Sequence, residues 1–416
     1  IVDRSRIDRS QHRLNGFVQV GSRGIVEVHR LTMNASSSSA FKWSRRQFLA
    51  ASASLSAVAV GGLLVSSESK ARTGTLLSAY EDARGDQYVG GLSLKDEEVF
   101  GARVPMRAHG CAVHPTDPNR VLFFARRPGT QAFELDRATM QVRTVFTTES
   151  GRHLAGHGTY SADGNLILTP EHDYERAKGV VVVRDARNFG IVGEIDTNGI
   201  DPHEVAWLPD HRSLLVANGG IMTHPRSFRR KLNIPTMDPS LCVIDAATGE
   251  RKEQFRLPDH LLSIRHVAMT STGITAVGLQ YEGEDKSEAP GIVALYRPAR
   301  SGKQAEFRLL TAPASEIPKF QGYVASIAIS EAHDLIAAAC PYGNGVACWS
   351  IGDERYLGFI AASETYGLSR LADGSILASQ RDGTAYGLDE TRLRSQFLKV
   401  SSSQPIRWDD HWVATV

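Results

Sequence analysis

Five histidines carry most of the chemistry this chain could do. His109, His157, His203, His266 and His411 each stand at the opening of a short β-prone run, in a chain of 416 residues with 14 histidines. A neutral imidazole presents one lone pair, which suits zinc, copper or iron. Two carboxylates, Glu171 and Glu204, lie close enough in sequence to histidines to add an oxygen ligand or act as a base. His224, on a longer polar stretch, is the loop histidine most able to visit the same place. Arg126, Arg127 and Arg265 could hold a carboxylate or phosphate through forked hydrogen bonds. Asn218, Gln280 and Tyr281 complete a polar set that recurs at equivalent points of the sequence.

The elements that would bring these residues together are written as a repeat. Gly156-His157-Gly158 is followed by Ala162-Asp163-Gly164 and then Leu166-Ile167-Leu168-Thr169. Pro202-His203-Glu204 is followed by Pro209-Asp210 and then Leu214-Leu215-Val216-Ala217-Asn218. A weaker copy runs from His109-Gly110 through His114-Pro115 to Val121-Leu122-Phe123-Phe124-Ala125. The separation is 48 residues from His109 to His157 and 46 from His157 to His203. A unit recurring at that period predicts the blades of a β-propeller.

From Thr75 onward the chain is a series of four- to eight-residue β-prone runs bounded by Gly, Pro, Asp or Asn, with no sustained helical period. Grouped in fours they give six complete units beginning at His109. Three runs remain before the first unit, near 76–80, 88–92 and 99–104, and one after the last, at 410–415. Three plus one predicts a seventh blade closed by both ends of the chain, which leaves no open sheet edge. The fold class is therefore all-β, a seven-bladed β-propeller. The long interval from His203 to His266 places an insertion at 221–240, expected to fold over one face.

In such a blade the first strand lines the central channel, so its opening residue faces one mouth. The five histidines, with Tyr323 and Tyr366 in the remaining two blades, should ring that mouth. The expected result is a polar funnel for a metal, a metal-bearing small molecule or an anion. The competing reading is that propeller channels are wet and their polar residues satisfy water and one another. A seven-fold ring is expected to be too wide for all five imidazoles to meet one ion. Two or three neighbours plus a loop residue such as His224 are the most a single ion could recruit. His114, His211 and His333 sit in Pro/Asp turns and read as surface residues, and Arg229-Arg230-Lys231 reads as a solvated loop.

Other chemistries find little support. The chain lacks a nucleophile elbow, a Walker loop and His-Glu-x-x-His, and has no Gly-x-Gly-x-x-Gly following a strand. A formal net charge of +1 gives no general affinity for nucleic acid or an anionic membrane. Of four cysteines, Cys111 and Cys242 fall within strand-like runs, whereas Cys340 and Cys348 flank a turn centred on Asn344. The pair could face each other as a disulfide or stay as two buried thiols.

The start of the chain reads as an address. Residues 1–32 look unlike folded protein, and Met33 is the expected initiator. Within 33–71, Ser44-Arg45-Arg46-Gln47-Phe48-Leu49 precedes a modest alanine-rich stretch, which matches a twin-arginine export signal. Cleavage near Ser69-Lys70-Ala71 would release a periplasmic propeller of residues 72–416. The apolar stretch is too short for a stable membrane span.

The ordered motifs together resemble a known family. They are His109-Gly110, Arg126-Arg127-Pro128-Gly129, Gly156-His157-Gly158, His203-Glu204, Ala217-Asn218-Gly219-Gly220-Ile221, His224-Pro225, Arg230-Lys231-Leu232-Asn233, Ser263-Ile264-Arg265-His266 and Gln280-Tyr281. With the leader, they resemble the domain-of-unknown-function family 1513 over nearly the whole mature chain. The resemblance implies an exported seven-bladed propeller associated with periplasmic iron-uptake proteins, and it brings no assigned reaction. Tyr366-Gly367 stands where Cys-Gly would be more usual. Three functions follow as expectations. One is a binding protein for a metal or metal-bearing ligand. Another is a metal-assisted lactonase-like hydrolase or oxidoreductase using the same mouth. The third is an interaction scaffold working through the 221–240 loop.

Overall fold

The structure is a computed structural model that describes residues 74–416 except 228–229, 390–393, 399 and 416. The expected leader at 33–71 and the segment 1–32 lie outside the described residues.

Seven antiparallel sheets follow one another along the chain as the blades of a propeller. Blade 1 is Ala108–Val113, Arg120–Ala125, Gln131–Asp136 and Gln141–Thr147, from the channel outward. Blade 2 opens with two short pieces, Arg152–Leu154 and Thr159–Tyr160, both paired with Leu166–Asp173. Blades 3 to 6 open at Pro202–Trp207, Leu262–Met269, Ser326–Ser330 and Thr365–Arg370. In blade 7, Thr75–Asp82, Gln87–Ser93 and Val99–Val104 are joined by the C-terminal Ile406–Trp408 and Val413–Thr415. Both C-terminal pieces pair with Thr75–Asp82, setting Tyr80 opposite Trp408 and Leu76 opposite Ala414.

Burial follows position within a blade. The second strands, such as Arg120–Ala125 and Leu335–Cys340, are covered on both faces because neighbouring blades stack against them. That is why they read as unbroken apolar runs and not as alternation. Between blades 2 and 3, Leu168, Val181 and Val183 pack with Leu214, Val216 and Ile244. Each such side chain contributes about 1.5–3 kcal/mol of burial. The outer strands, such as Gln141–Thr147, are largely exposed.

Three of the hairpins from first to second strand, in blades 2, 3 and 6, share one device. Asp163, Asp210 and Asp373 each accept a hydrogen bond at Oδ1 from the amide two residues on, at 3.1, 2.9 and 2.9 Å. The intervening residue is left-handed: Gly164 at φ +73°, His211 at +50° and Gly374 at +91°. In blades 2 and 3 this is the turn that Asp163-Gly164 and Pro209-Asp210 mark in the sequence.

The inner strands are less regular than the sequence suggests. Their pairing shifts between Ala108 and Cys111, Pro202 and Glu204, Ile264 and His266, and Thr365 and Leu368. In blades 2 and 7 the inner strand is broken outright, over 155–158 and 409–412. Hence the expected single run at 410–415 is corrected to a split closing strand, and the blade that opens at His157 begins with a split strand as well. Such bulges re-aim side chains, and here they coincide with His109, His203, His157 and His411, and fall beside His266. Blade 5 alone keeps a regular first strand, and its Tyr323 lies ahead of it.

Two smaller expectations change as well. His114 is buried against the Tyr160 ring, at 4.9 Å between centroids, and is not a surface residue. Strand register sets Cys340 opposite Gly345 and Cys348 opposite Ala337, so the two cysteines do not face each other. No described helix is long and apolar enough to cross a membrane.

Candidate functional site

The five blade-opening histidines meet. Ring centroids lie 5.0 Å apart for His109 and His157, 4.4 Å for His109 and His411, and 4.7 Å for His157 and His411. They lie 5.4 Å apart for His157 and each of His203 and His266, 4.7 Å for His203 and His266, and 4.5 Å for His266 and His411. His157 therefore touches the other four. The ring is narrower than expected because the bulged strands push these side chains inward, so imidazoles from five consecutive blades (7, 1, 2, 3 and 4) form one cluster. Ligand nitrogens of His157, His266 and His411 lie within 4.8 Å of one another, as do those of His109, His157 and His203. Three imidazoles per ion remains the geometric limit that these sets offer.

The cluster is held neutral. Burial, reinforced by neighbouring charges and imidazoles, lowers His157, His266 and His411 to about 3. His109 and His203 fall well below the usual value, first through burial and then through Arg126 and Arg265 respectively. Four of the five are buried and His411 is partly so. Every ring thus keeps a lone pair near neutral pH, and Nε2 of His157 and of His203 has no hydrogen-bond partner.

Carboxylates fix the rings from behind. Asp409 Oδ1 lies 2.5 Å from His109 Nδ1, and Glu204 Oε2 lies 3.4 Å from His266 Nδ1. Burial pushes the Asp409 carboxyl up, but Arg107 and Arg126 together hold it below its ordinary value. An ionised Asp409 accepts the Nδ1 proton of His109, so Nε2 is the nitrogen that accepts from Arg126 Nη1. That Nε2 is 3.1 Å from Nε2 of His411. Arg126 Nη1 is 2.7 Å from Nδ1 and 3.0 Å from Nε2 of His109 and 2.7 Å from Asp410 Oδ2. Glu204 also accepts from the Val267 amide at 3.2 Å, and burial raises its carboxyl despite His157 and that amide.

A second polar group adjoins the first. Asp201, fully buried, takes Arg127 Nη1 at 2.6 Å and has His172 Nε2 at 3.3 Å. Arg265 Nη1 is 3.3 Å from His203 Nδ1 and links the two groups. His172 stacks on His153 with centroids 4.4 Å apart, and the chain of rings continues through Tyr174 to His224. His224 brings one end of the 221–240 insertion to this side. Asn233 ties it, accepting from the Met222 amide at 2.6 Å and donating to the Gly220 carbonyl at 2.9 Å. Its Lys231 reaches Glu282 of blade 4.

Several expected site residues belong elsewhere. His224 packs against Tyr174 and accepts from the Arg226 amide, and it is absent from the five-histidine contacts. Glu171 forms a buried pair with Arg184 at 2.8 Å, because the adjacent His172 takes the other face of the strand. Asn218 donates to the Thr197 carbonyl at 2.9 Å, on the link from blade 2, and does not line the mouth. Gln280 bridges through its backbone to Tyr323, and Tyr281 packs under Lys286. Arg126, Arg127 and Arg265 all reach the two polar groups.

The reading from sequence passed over Asp409, Asp410, Asp201, Arg107, His153 and Glu282. The signal was present for the first three: Asp409-Asp410 immediately precedes His411, and Asp201 stands two residues before His203.

A family model described as "Protein of unknown function (DUF1513)" matches residues 102–415. No curated protein matches the chain. Among solved structures, Kuenenia stuttgartiensis hydrazine synthase aligns with a TM-score of 0.53 at 13% identity, over 82% of this chain and 99% of that one. A chain of the mitotic checkpoint complex aligns with a TM-score of 0.50 at 11% identity, over 83% and 87% respectively. Likeness at such identities is of fold alone.

Proposed function

The chain belongs to the DUF1513 family of proteins of unknown function, and we propose that it is an exported binding protein for a transition-metal ion or small metal chelate. The centre is the histidine cluster at the propeller mouth, and the cargo class is iron, copper or zinc. The observation that carries this reading is the state of the imidazoles: buried, neutral and facing one another, with carboxylates behind two of them. A carboxylate on Nδ1 with Nε2 turned inward is the arrangement that orients metal-binding histidines. His157, His266 and His411 are the ligand set of first choice. The iron-uptake association implied by the family fits this reading.

Metal analysis of untagged protein exported by its own leader, from iron-replete and iron-starved cells, tests it. Roughly one equivalent of metal is expected, and a His157→Ala, His266→Ala double variant should lose it. A wild-type protein that takes up no iron, copper or zinc ends the proposal.

One observation favours a second reading. Glu204, raised by burial and beside His266, has the character of a general base next to a metal. Turnover of lactones by metal-loaded protein, lost in Glu204→Gln, would replace binding by a hydrolase.

A further inference from the structure

The cations around the mouth are paired unevenly. Arg107 has Asp409 at 2.5 Å and Arg126 has Asp410 at 2.7 Å. Arg127 has Asp201 at 2.6 Å, and Lys231 is paired with Glu282. Arg265 has no close carboxylate: its nearest are Asp201 and Glu282, each 3.9 Å away and each already engaged. It is only 4% exposed, and its Nε has no hydrogen-bond partner. A guanidinium so placed is a buried charge whose two carboxylate neighbours are distant and shared with other cations, and its unsatisfied Nε–H is costly until an anion arrives.

Its one close contact tells where that anion sits. Arginine can only donate, so the 3.3 Å contact from Arg265 Nη1 makes His203 Nδ1 an acceptor. A neutral His203 must then carry its proton on Nε2. That Nε2–H is buried and has no acceptor. Two adjoining side chains therefore present donors that nothing in the protein satisfies. His203 also touches His157 and His266, which places these donors beside the ligand set. A metal ion bound only by neutral imidazoles would add at least two positive charges next to Arg265 and Arg126, and a buried site favours cancelling them.

Resting on the metal-binding reading above, we propose that Arg265 and His203 form an anion subsite whose occupant is a carboxylate or carbonate that binds together with the metal. The planar O–C–O group matches the guanidinium fork better than a spherical anion does. His203 is then a hydrogen-bond donor to the anion and not a metal ligand, which leaves His157, His266 and His411 for the ion. The same chemistry arrives either as free bicarbonate or as the carboxylate of a chelate such as citrate.

Copper(II) titration of the metal-free protein, followed by its absorption band, tests this in carbonate-free perchlorate buffer and again with bicarbonate, citrate or phosphate added. Bicarbonate or citrate should tighten copper binding at least about tenfold, equivalent to about 1.4 kcal/mol, and phosphate should do so less. A gain with bicarbonate alone identifies the free anion as the source, and a gain with citrate alone identifies a chelate. In Arg265→Gln and Arg265→Lys the ratio of affinities with and without anion should fall towards one. Copper binding that is tight but indifferent to every anion in the wild type overturns the subsite and leaves the metal centre standing. An anion gain that survives Arg265→Gln moves the subsite elsewhere and overturns this assignment. If copper, iron and zinc all fail to bind under every condition, both readings fall.

Discussion

Asp409 Oδ1 stands 2.5 Å from Nδ1 of His109, although 300 residues of chain separate them. The contact fixes which nitrogen of His109 carries its proton and which faces the other imidazoles. It also joins the C-terminal segment to blade 1 at the mouth of the channel.

Replacing Asp409 by Asn should weaken metal binding by less than the roughly 10- to 100-fold usual for a carboxylate directly behind a ligating histidine, because His109 borders the ligand set and steers His411 across the 3.1 Å between their Nε2 atoms. Isothermal titration with zinc measures it. The same substitution leaves Arg107 short of its partner, so a melt should be run beside the titration. Unchanged affinity in a folded Asp409→Asn protein would show that His109 takes no part.

Glu171→Gln separates architecture from site. Breaking its buried pair with Arg184 should destabilise the protein by about 3 kcal/mol. Metal content per folded molecule should not change, because Glu171 and His172 face opposite sides of the sheet. Loss of metal with intact stability would return Glu171 to the centre.

Asp201→Asn should be among the most damaging conservative substitutions in the propeller. Among the described residues it removes the one close carboxylate of Arg127 and one of the two carboxylates 3.9 Å from Arg265, leaving the buried Arg127 guanidinium unopposed. A loss of about 3–5 kcal/mol is expected, read as a shift in the denaturation midpoint at constant slope. A loss below 1 kcal/mol would mean that solvent reaches the arginines.

The metal-free protein should lose stability as pH falls below about 6.5. His157, His266 and His411 are lowered to about 3 in the fold, whereas the unfolded chain protonates them at the ordinary value. The unfolded state therefore binds more protons through the window from 6.5 down to 3. Stability rises with pH there, is complete above it, and each histidine costs about 1.4 kcal/mol one unit below 6.5. Bound metal should offset the loss. A melting temperature flat from pH 7.5 to 5 would show that these rings titrate normally.

Much of this was legible in the sequence. Propeller class, seven blades and the blade-opening register all follow from the recurrence of His109, His157 and His203 with their Asp turns, because a strand's two-residue period fixes its faces. What sequence could not give was the radius of the mouth. That depends on bulges at His109, His203 and beside His266, and on the breaks at 155–158 and 409–412, none of which leaves a mark in the hydrophobic pattern. The same breaks explain why Asp409 and Asp410 looked like the lead-in to an ordinary strand. For Glu171 and Asn218 the register read was right to within one residue, and one residue is enough to turn a side chain from the mouth into the blade. Their neighbours His172 and Gly219 occupy the expected side.

The closing sheet carries one more implication. Asp409, Asp410 and His411 interrupt the strand by which the C-terminal segment docks onto Thr75–Asp82; Asp409 and His411 reach histidines of other blades, and Asp410 reaches Arg126 of blade 1. A cation gripped by His411 and His157 would rivet that seam, so loading and latching of the toroid would be a single thermodynamic event. Cargo release, in turn, would loosen the hoop at its one non-covalent joint.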